Sequence, residues 1–299
     1  MAGKILVTGA TGPLGRLVVK YLVHKDGVQV RAGVHRPERE EYIRMAGVEP
    51  VRLDFGDFSS IDRALEGTDT LFLLTPTVRE QVEFTRRMVD RCRLWGIERI
   101  VKLSIYGVDS VPGTQITRWH HQAEAYIRDS KIPFTFVRPN ALMQNFIRQV
   151  QPVGSFLYLP MGHSRVSFVD SRDVAAFCAQ VISSPQFAGQ TLNLTGPSAL
   201  TMEEVAQTIT DVVGHHISYI DTSEETVAHF LESAATPEWL ANALVELYSL
   251  WREGDFDITI TSEFEQVMGR KPFSFKKFCT DYAAIFKAII QQEHHTNIR

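Results

Sequence analysis

The chain has 299 residues, of which 44% are hydrophobic and 22% are charged, and its formal net charge is -4. This composition is ordinary for a globular protein that is long enough to bury a core of domain size. The acidic balance argues against nucleic acid or an anionic membrane as a partner, and no apolar run approaches the roughly 18 residues of a membrane span. We expect a cytoplasmic protein without a signal peptide, because a strand-like segment follows Met1 directly.

The three cysteines, Cys92, Cys178 and Cys279, lie far apart in the sequence and form no C-x-x-C pair. A disulfide framework and a structural zinc site both need closely grouped ligands. We therefore expect reduced thiols and no metal site.

The first half of the chain alternates strand-like apolar runs with helix-like amphipathic stretches. The apolar runs are nearly continuous, as in parallel strands whose two faces are both covered by helices. Alternation of this kind gives right-handed crossovers and a doubly wound α/β fold of the Rossmann type. The pattern predicts strands at 4–9, 28–35, 48–55, 69–76, 97–104 and 133–140, and helices at 13–25, 37–46, 59–66, 79–95 and 118–130.

The regular alternation of strand-like and helix-like segments changes after about residue 140. Residues 151–164 show no regular pattern, whereas 165–182 and 190–196 predict a strand, a helix and a strand that return to the parallel sheet. Helices dominate from Pro197 onward. The expected division is a nucleotide-binding domain of residues 1–140 and 165–196, and a smaller, mostly helical substrate-binding lobe of residues 141–164 and 197–299.

Capping signals mark the helices of the second lobe. The pairs Thr201–Glu204 and Ser262–Glu265 both have the Ser/Thr-x-x-Glu spacing of a capping box. Gly214 suits the end of the first of these helices.

The stretch KILVTGATGPLG, residues 4–15, carries three glycines between an apolar strand and a helix-like segment. In a βαβ unit the first glycine permits a tight turn, the second a close approach to a pyrophosphate, and the third the packing of helix against strand. The helix N–H groups would face the anion, and a proline fits the first helical position. A plain strand, turn and helix is the alternative. The expected cofactor-binding residues of this turn are Gly9, Thr11, Gly12, Pro13, Leu14 and Gly15.

The spacing G-x-x-G-x-x-G differs from the G-x-G-x-x-G of typical dinucleotide-binding folds. Written TGATGPLG, it resembles the NmrA-like branch of the atypical short-chain dehydrogenases/reductases. Further blocks along nearly the whole chain carry the same resemblance: LDFGD, LFLLTP, HHQAEAYIRDSKIPFTFVRPNALMQNF, VSFVDSRDVA, TLNLTGP and TPEWLANALVELYSLWREG. The resemblance implies a nicotinamide cofactor, used either by a reductase or by a cofactor-sensing regulator.

The end of the second strand is expected to select the cofactor. An acidic residue about 20 residues beyond the glycines favours NAD, whereas an arginine favours NADP. This position reads His35–Arg36, without an acidic residue before Glu38. A guanidinium can bind a 2′-phosphate that a carboxylate would repel. We therefore expect NADPH, bound mainly by Arg36 with His35 assisting; a solvated surface charge is the alternative for Arg36.

The resemblance implies further cofactor contacts at the ends of the third and fourth strands. Asp54 is expected to face the adenine, with Phe55 beside it. Leu74, Thr75 and Pro76 are expected along the nicotinamide half. Open α/β sheets bind their ligands at this carboxyl edge.

The chemistry is expected beyond the fifth strand. No tyrosine there is followed by lysine four residues later, so the usual Tyr-x-x-x-Lys pair is absent. The helix carries His120-x-x-x-Glu124 instead, a spacing that the resemblance associates with NmrA-like reductases. Glu124 would raise the pKa of His120 and orient it as a proton donor, unless the two form only a surface pair. Ser104 and Tyr106 are the other hydroxyls expected near the cofactor or the substrate.

The residues after the sixth strand and an apolar helical stripe at 239–251 predict the wall of an acceptor pocket, with ordinary core packing as the alternative for most of the stripe. Asn140 is expected to contact the cofactor, and Gln144 to line the wall. The expected substrate contacts are Tyr106, Met143, Asn145, Phe156, Tyr158 and Trp239.

Hydride transfer needs alignment and exclusion of water more than a strong acid. Absence of the Tyr–Lys pair therefore favours electron-poor acceptors such as quinones, dyes and conjugated imines. We expect an NADPH-dependent reductase of a small aromatic or quinone-like substrate, present as a monomer or homodimer. A regulator that senses NADP(H) and binds a protein partner without chemistry is the alternative.

Overall fold

The structure is a computed structural model that describes residues 3–45, 47–110, 113–147, 155–254 and 259–296. The strands of these residues are β1 Gly3–Val7, β2 Val28–Val34, β3 Glu49–Arg52, β4 Thr70–Leu73, β5 Arg99–Leu103, β6 Phe134–Pro139, β7 Phe156–Leu159, β8 Thr191–Leu194 and β9 Ser218–Asp221. The helices are α1 Pro13–Leu22, α2 Glu40–Met45, α3 Phe58–Leu65, α4 Gln81–Trp95, α5 Gln115–Asp129, α6 Ser171–Ile182, α7 Met202–Val213, α8 Glu224–Ser233, α9 Glu238–Arg252, α10 Glu263–Met268, α11 Phe275–Asp281 and α12 Ala283–Thr296.

Seven parallel strands form one sheet in the order β3-β2-β1-β4-β5-β6-β8. One face is covered by α1 and α6 and the other by α3, α4 and α5, and both interfaces are apolar. The strand order reverses between β1 and β4, which is the switch point where such sheets bind ligands. The predicted doubly wound fold is confirmed, together with its six strands and its edge strand at 190–196.

Two predictions beyond residue 140 are wrong. Residues 165–170 form no strand, because Val169 bridges Leu142 whereas Val166 bridges Leu200, so the backbone changes partner before a ladder can form. Residues 156–159, expected to be irregular, form β7 and pair in parallel with β9. The first part of that segment, residues 151–154, lies outside the described residues.

Of the two predicted capping boxes, the one at Thr201 is confirmed and the one at Ser262 is wrong. Thr201 accepts from the Glu204 N–H at 3.2 Å and donates its own N–H to the Glu204 carboxylate at 3.0 Å, so this capping box is confirmed. Gly214 ends α7 with φ 71°, as expected. The second box is wrong, since Ser262 has helical φ and ψ values of -98° and -7°. Its hydroxyl accepts from the Gln266 side chain instead.

The helices beyond residue 197 enclose a second apolar cluster around Phe146, Phe168, Trp251, Phe275 and Phe278. One helix of that region packs elsewhere: Phe264 of α10 stacks on Phe177 of α6 with ring centroids 6.0 Å apart. The two-domain division stays a prediction. None of the helices in the described part of the chain is both long and apolar enough to cross a membrane.

Candidate active site

The turn between β1 and α1 has the geometry of an anion cradle. Gly9 has φ 62°, and the Gly12 N–H donates to its carbonyl at 2.9 Å. A Cβ at Gly15 would lie 2.1 Å from the Gly9 carbonyl oxygen, so only glycine allows α1 to start this close to the strand. At Gly12 a Cβ would occupy the mouth of the turn, with only the Gly9 oxygen within 4 Å. Pro13 is at the start of α1, as predicted. The residues present therefore fit a pyrophosphate at the helix N-terminus.

Thr8 fastens this turn to the end of β4. Its hydroxyl donates to the Leu74 carbonyl at 2.9 Å and accepts from the Leu74 N–H at 2.8 Å. A Cβ added at Gly9 would lie 3.0 Å from the Leu74 side chain, so Leu74 packs directly against the turn. Residues 74–76, predicted to follow the cofactor, are thereby held beside the glycine turn.

Two arginines outside the prediction converge on the turn. Nε of Arg16 and Nη1 of Arg39 donate to the Thr11 carbonyl at 2.9 and 3.3 Å. Both line a groove of about 690 Å³ that runs along α1. Two guanidinium groups on this carbonyl add positive charge beside the turn, which suits a phosphate. The predicted Arg36 and His35 are exposed at the end of β2.

The residues expected near the adenine lie at the end of β3. His35 Nδ1 is 4.0 Å from an Asp54 carboxylate oxygen, which brings these two predicted residues together. The other Asp54 oxygen accepts from the Gly56 N–H at 2.8 Å and fixes the loop. Phe55 stacks on Phe84 of α4 at 5.3 Å.

Ser104 and His120 meet at the end of β5. The Ser104 hydroxyl is 3.4 Å from Nδ1 of His120, and both residues are buried. Burial, and after it the charge of the Lys102 ammonium, lower the pKa of His120 well below its ordinary value. His120 is therefore a neutral imidazole, with one donor and one acceptor nitrogen. Tyr106 follows, with its N–H bound to the Pro139 carbonyl at 2.9 Å and its side chain against the C-terminal cluster.

The expected action of Glu124 on His120 is wrong. Glu124 is fully buried, and its carboxylate accepts from Arg138 Nε at 2.9 Å, Arg138 Nη2 at 2.6 Å and Arg128 at 3.0 Å. Burial opposes the charge on Arg138, but its bonds to Glu124 and Asp109 outweigh that effect and raise its pKa. The carboxylate is thus committed to two arginines. The alternative of an exposed surface pair is wrong too, since His120 is only 8% exposed.

Side-chain amides hold the segment after β6 in place, and the pocket wall expected there stays a prediction. Asn140 donates from its side-chain amide to Ser167 at 2.9 Å and accepts from the Ala141 N–H at 2.8 Å. Gln144 donates to Asp170 and accepts from the Ser171 N–H, each at 2.8 Å. Their amides therefore order the loop.

The side chains predicted to contact the substrate are spread over a wider area than expected. Met143 is only 1% exposed and packs in the C-terminal cluster, whereas Asn145 lines a cavity of about 40 Å³ with Leu244 and Leu247 of α9. Trp239 packs on Trp119 of α5 at 5.4 Å. Phe156 and Tyr158 lie together on the exposed face of β7, at 5.8 Å.

Sequence reasoning missed four charged residues of this region. Lys102 and Arg138 are buried in central strands, and a charge inside the apolar runs RIVKL and FTFVRP was the available signal. Arg16 and Arg39 had no such signal, because their convergence on Thr11 depends on how the segment after β2 lies against the start of α1. Among the described residues, no cluster of histidine, cysteine or acidic side chains could hold a metal ion.

The chain is similar to known proteins over nearly its whole length. The model of the NmrA-like family matches residues 1–279. The NAD(P)H azoreductase of Xenophilus azovorans is 30% identical over 95% of this chain and 99% of its own length. The (4-alkanoyl-5-oxo-2,5-dihydrofuran-3-yl)methyl phosphate reductase of Streptomyces griseus is 31% identical over 94% and 99%.

Solved structures share the fold. The NADPH-dependent quinone oxidoreductase QOR2 of Escherichia coli, in complex with NADPH, superposes with a TM-score of 0.85 at 24% identity, over 93% of this chain and 99% of its own. The Citrobacter triphenylmethane reductase, in complex with NADP(H), gives 0.83 at 24% identity over the same shares. With the family model matching 279 residues, this chain belongs to the NmrA-like family.

Proposed function

We propose that this protein is an NADPH-dependent reductase that passes a hydride to a small electron-poor acceptor of the quinone, dye or conjugated-imine class. The observation that carries the proposal is the turn of residues 9–15, whose glycines leave room for a pyrophosphate at the N-terminus of α1. The two reductases with 30% and 31% identity support an enzyme rather than a plain binding protein. When bound, NADPH supplies the hydride.

The preference for NADPH is assigned to the arginines around the turn. Arg16 and Arg39 both bind the Thr11 carbonyl, and Arg36 follows β2 a few residues before Arg39. Arginine is suited to a 2′-phosphate because its planar fork stays charged and binds two oxygens.

Proton transfer to the acceptor is assigned to Ser104 and His120. The serine hydroxyl would donate to the oxygen or nitrogen that becomes negative as the hydride arrives. Nδ1 of His120, at 3.4 Å, would return a proton to the serine oxygen while Nε2 takes one from water, which leaves as hydroxide. The apolar side chains of Leu244 and Leu247, beside Asn145, are assigned to the acceptor side, where they would help to exclude water. Tyr106 packs against the same apolar cluster and is assigned to the acceptor's edge.

The test is NADPH oxidation, followed by absorbance, against a panel of quinones, azo and triarylmethane dyes, imines and aldehydes. Ser104→Ala should lower kcat by about 100-fold or more, the usual size of a proton-transfer contribution, without weakening NADPH binding. The matched control is Ser233→Ala on α8, where the hydroxyl donates to the His229 carbonyl at 2.9 Å. Tight NADPH binding without turnover of any acceptor would overturn the proposal in favour of a cofactor sensor.

A second test addresses the preference for NADPH over NADH. Arg39→Ala should raise the Kd of NADPH about tenfold and leave that of NADH unchanged, because a bond to a charged phosphate is worth about 1.5 kcal/mol or more. The control is Arg44→Ala, five residues along, whose guanidinium pairs with Glu40 at 3.5 Å. Equal effects of the two substitutions on NADPH would show that Arg39 acts only through overall charge.

A further inference from the structure

The apolar face of α9 occupies the space that is assigned to the acceptor. Leu244 and Leu247 of this helix line, together with Asn145, a cavity of about 40 Å³. A volume of that size holds at most a few water molecules, whereas sites for small-molecule ligands usually measure about 300 Å³ or more. The cavity is therefore too small for a quinone or a dye as long as α9 keeps this position.

The two ends of α9 are held differently. Near the C-terminal end, Tyr248 and Trp251 are buried, with ring centroids 5.9 Å apart. Arg252, the last residue of the helix, pairs with Asp221 of β9 at 2.8 Å. The N-terminal end follows α8 through the turn at 234–237, and the two helices pack as a hairpin, residues 224–252. The C-terminal end of α9 is therefore the fixed end about which the hairpin can turn.

α9 is fastened to α5 by a small set of contacts near the surface. The Trp239 ring packs on Trp119 with centroids 5.4 Å apart. The Gln115 N–H donates to the Glu246 carboxylate at 2.6 Å, and a guanidinium nitrogen of Arg118 is 3.7 Å from the same oxygen. The Glu246 and Arg118 side chains are 44% and 53% exposed, and ion pairs of such side chains stabilise little. These contacts can therefore break and form again without unfolding of the protein.

The same contacts lie on the helix that carries the proton-transfer pair. Trp119 directly precedes His120, which is 3.4 Å from Ser104, and Gln115 is the first residue of α5. Glu246 places a negative charge at the N-terminus of α5, where a spare N–H and the positive end of the helix dipole favour it. The contacts that close α9 are thus made on the element that bears His120.

We propose that the α8–α9 hairpin is a gate for the acceptor, which opens when Glu246 and Trp239 leave α5 and the hairpin turns about its fixed end at Arg252. The proposal rests on the proposed function, because it concerns how the acceptor reaches the reductase site. Opening moves Leu244 and Leu247 outward and makes room for a planar acceptor. Closure then returns these side chains and excludes water during hydride transfer.

The first test fixes the gate shut with a cross-link. In Gln115→Cys/Glu246→Cys a short bismaleimide should join the two thiols, because these residues are in contact in the closed gate. The native thiols at positions 92, 178 and 279 are buried and should not react. The cross-linked protein should bind NADPH but reduce quinones at least about tenfold more slowly. The same variant without linker, and each single-cysteine variant with it, should keep the native rate. Equal rates with and without the cross-link would overturn the proposal.

The second test follows gate opening without turnover. The thiol of Leu247→Cys would face the cavity, so it should react with a maleimide mainly while the gate is open. Adding Glu246→Ala should raise the labelling rate about fivefold, the usual effect of losing one partner of a helix terminus. The matched control is Glu232→Ala, which removes an exposed carboxylate from α8 beside His229 and should not change the rate.

An unchanged labelling rate with Glu246→Ala, or an equal increase with Glu232→Ala, would overturn the proposal. If the native protein reduces no acceptor, the proposed function fails, whereas the labelling rate still decides whether Glu246 holds the gate closed.

Discussion

The substitution Glu124→Gln tests whether the Glu124 carboxylate contributes to stability or to catalysis. Glu124 is 0% exposed and accepts three hydrogen bonds from Arg138 and Arg128. Glutamine keeps the shape but turns one oxygen into a donor that faces a guanidinium. Removing one partner of a buried ion pair leaves the other uncompensated, at a cost of about 3 to 5 kcal/mol in the free energy of unfolding. For a chain of 299 residues that is a fall of at least about 5 °C in Tm.

The matched control for Glu124→Gln is Asp109→Asn. Asp109 binds the same Arg138 guanidinium at 2.6 Å, but its side chain is 67% exposed, so its removal should cost no more than about 1 kcal/mol. The assay is urea unfolding of both variants, with kcat measured well below Tm. If the Glu124→Gln protein is as stable as the native one but has a strongly lowered kcat, the structural role is wrong. Glu124 would then take part in catalysis.

The remaining predictions concern the turn and the buried lysine. Gly15→Ala should abolish NADPH binding or folding, because its Cβ would lie 2.1 Å from the Gly9 oxygen; Gly3→Ala, whose Cβ meets only an Asp69 oxygen at 3.8 Å, should bind NADPH normally in a calorimetric titration. Lys102→Met should raise the free energy of unfolding at pH 7 by about 3 kcal/mol, because the native pKa of about 8 lies below the ordinary 10.5. Between these two pKa values the unfolded native chain binds more protons than the folded one. The gain in the free energy of unfolding should therefore be complete below pH 8 and vanish as the pH rises to 10.5. A gain that does not change with pH would contradict this cause.

The parallel sheet was predictable because its signal is local and repeated. Each of the six strands at 4–9 to 133–140 is an apolar run, and each crossover contains an amphipathic helix. The errors lie where local pattern does not define a partner. Residues 165–170 alternate like a strand, but their neighbours at 142 and 200 each pair with one residue only. Ser262 has the spacing of a capping box, but its backbone is already helical, which directs the hydroxyl away from the free amides.

The charges of the site were harder to predict than its backbone. The i,i+4 spacing correctly places His120 and Glu124 on one side of α5, but it does not indicate which partner Glu124 takes. Arg138 comes from β6 and binds it with two nitrogens, a geometry that an imidazole cannot match. The partners of Glu124 therefore depend on how α5 packs against β6, which the sequence of α5 alone does not show.

The charge state of His120 narrows the class of acceptor. A neutral imidazole is a weak acid, so the Ser104–His120 pair cannot protonate a carbonyl before the hydride arrives. Simple ketones and aldehydes need that early help, because their reduced form is an alkoxide of high basicity. A quinone or a conjugated imine spreads the incoming charge over its own π-system and can take its proton late. A neutral His120 would thus favour acceptors that stabilise their own anion, and quinones in the panel should be reduced faster than aldehydes of similar size.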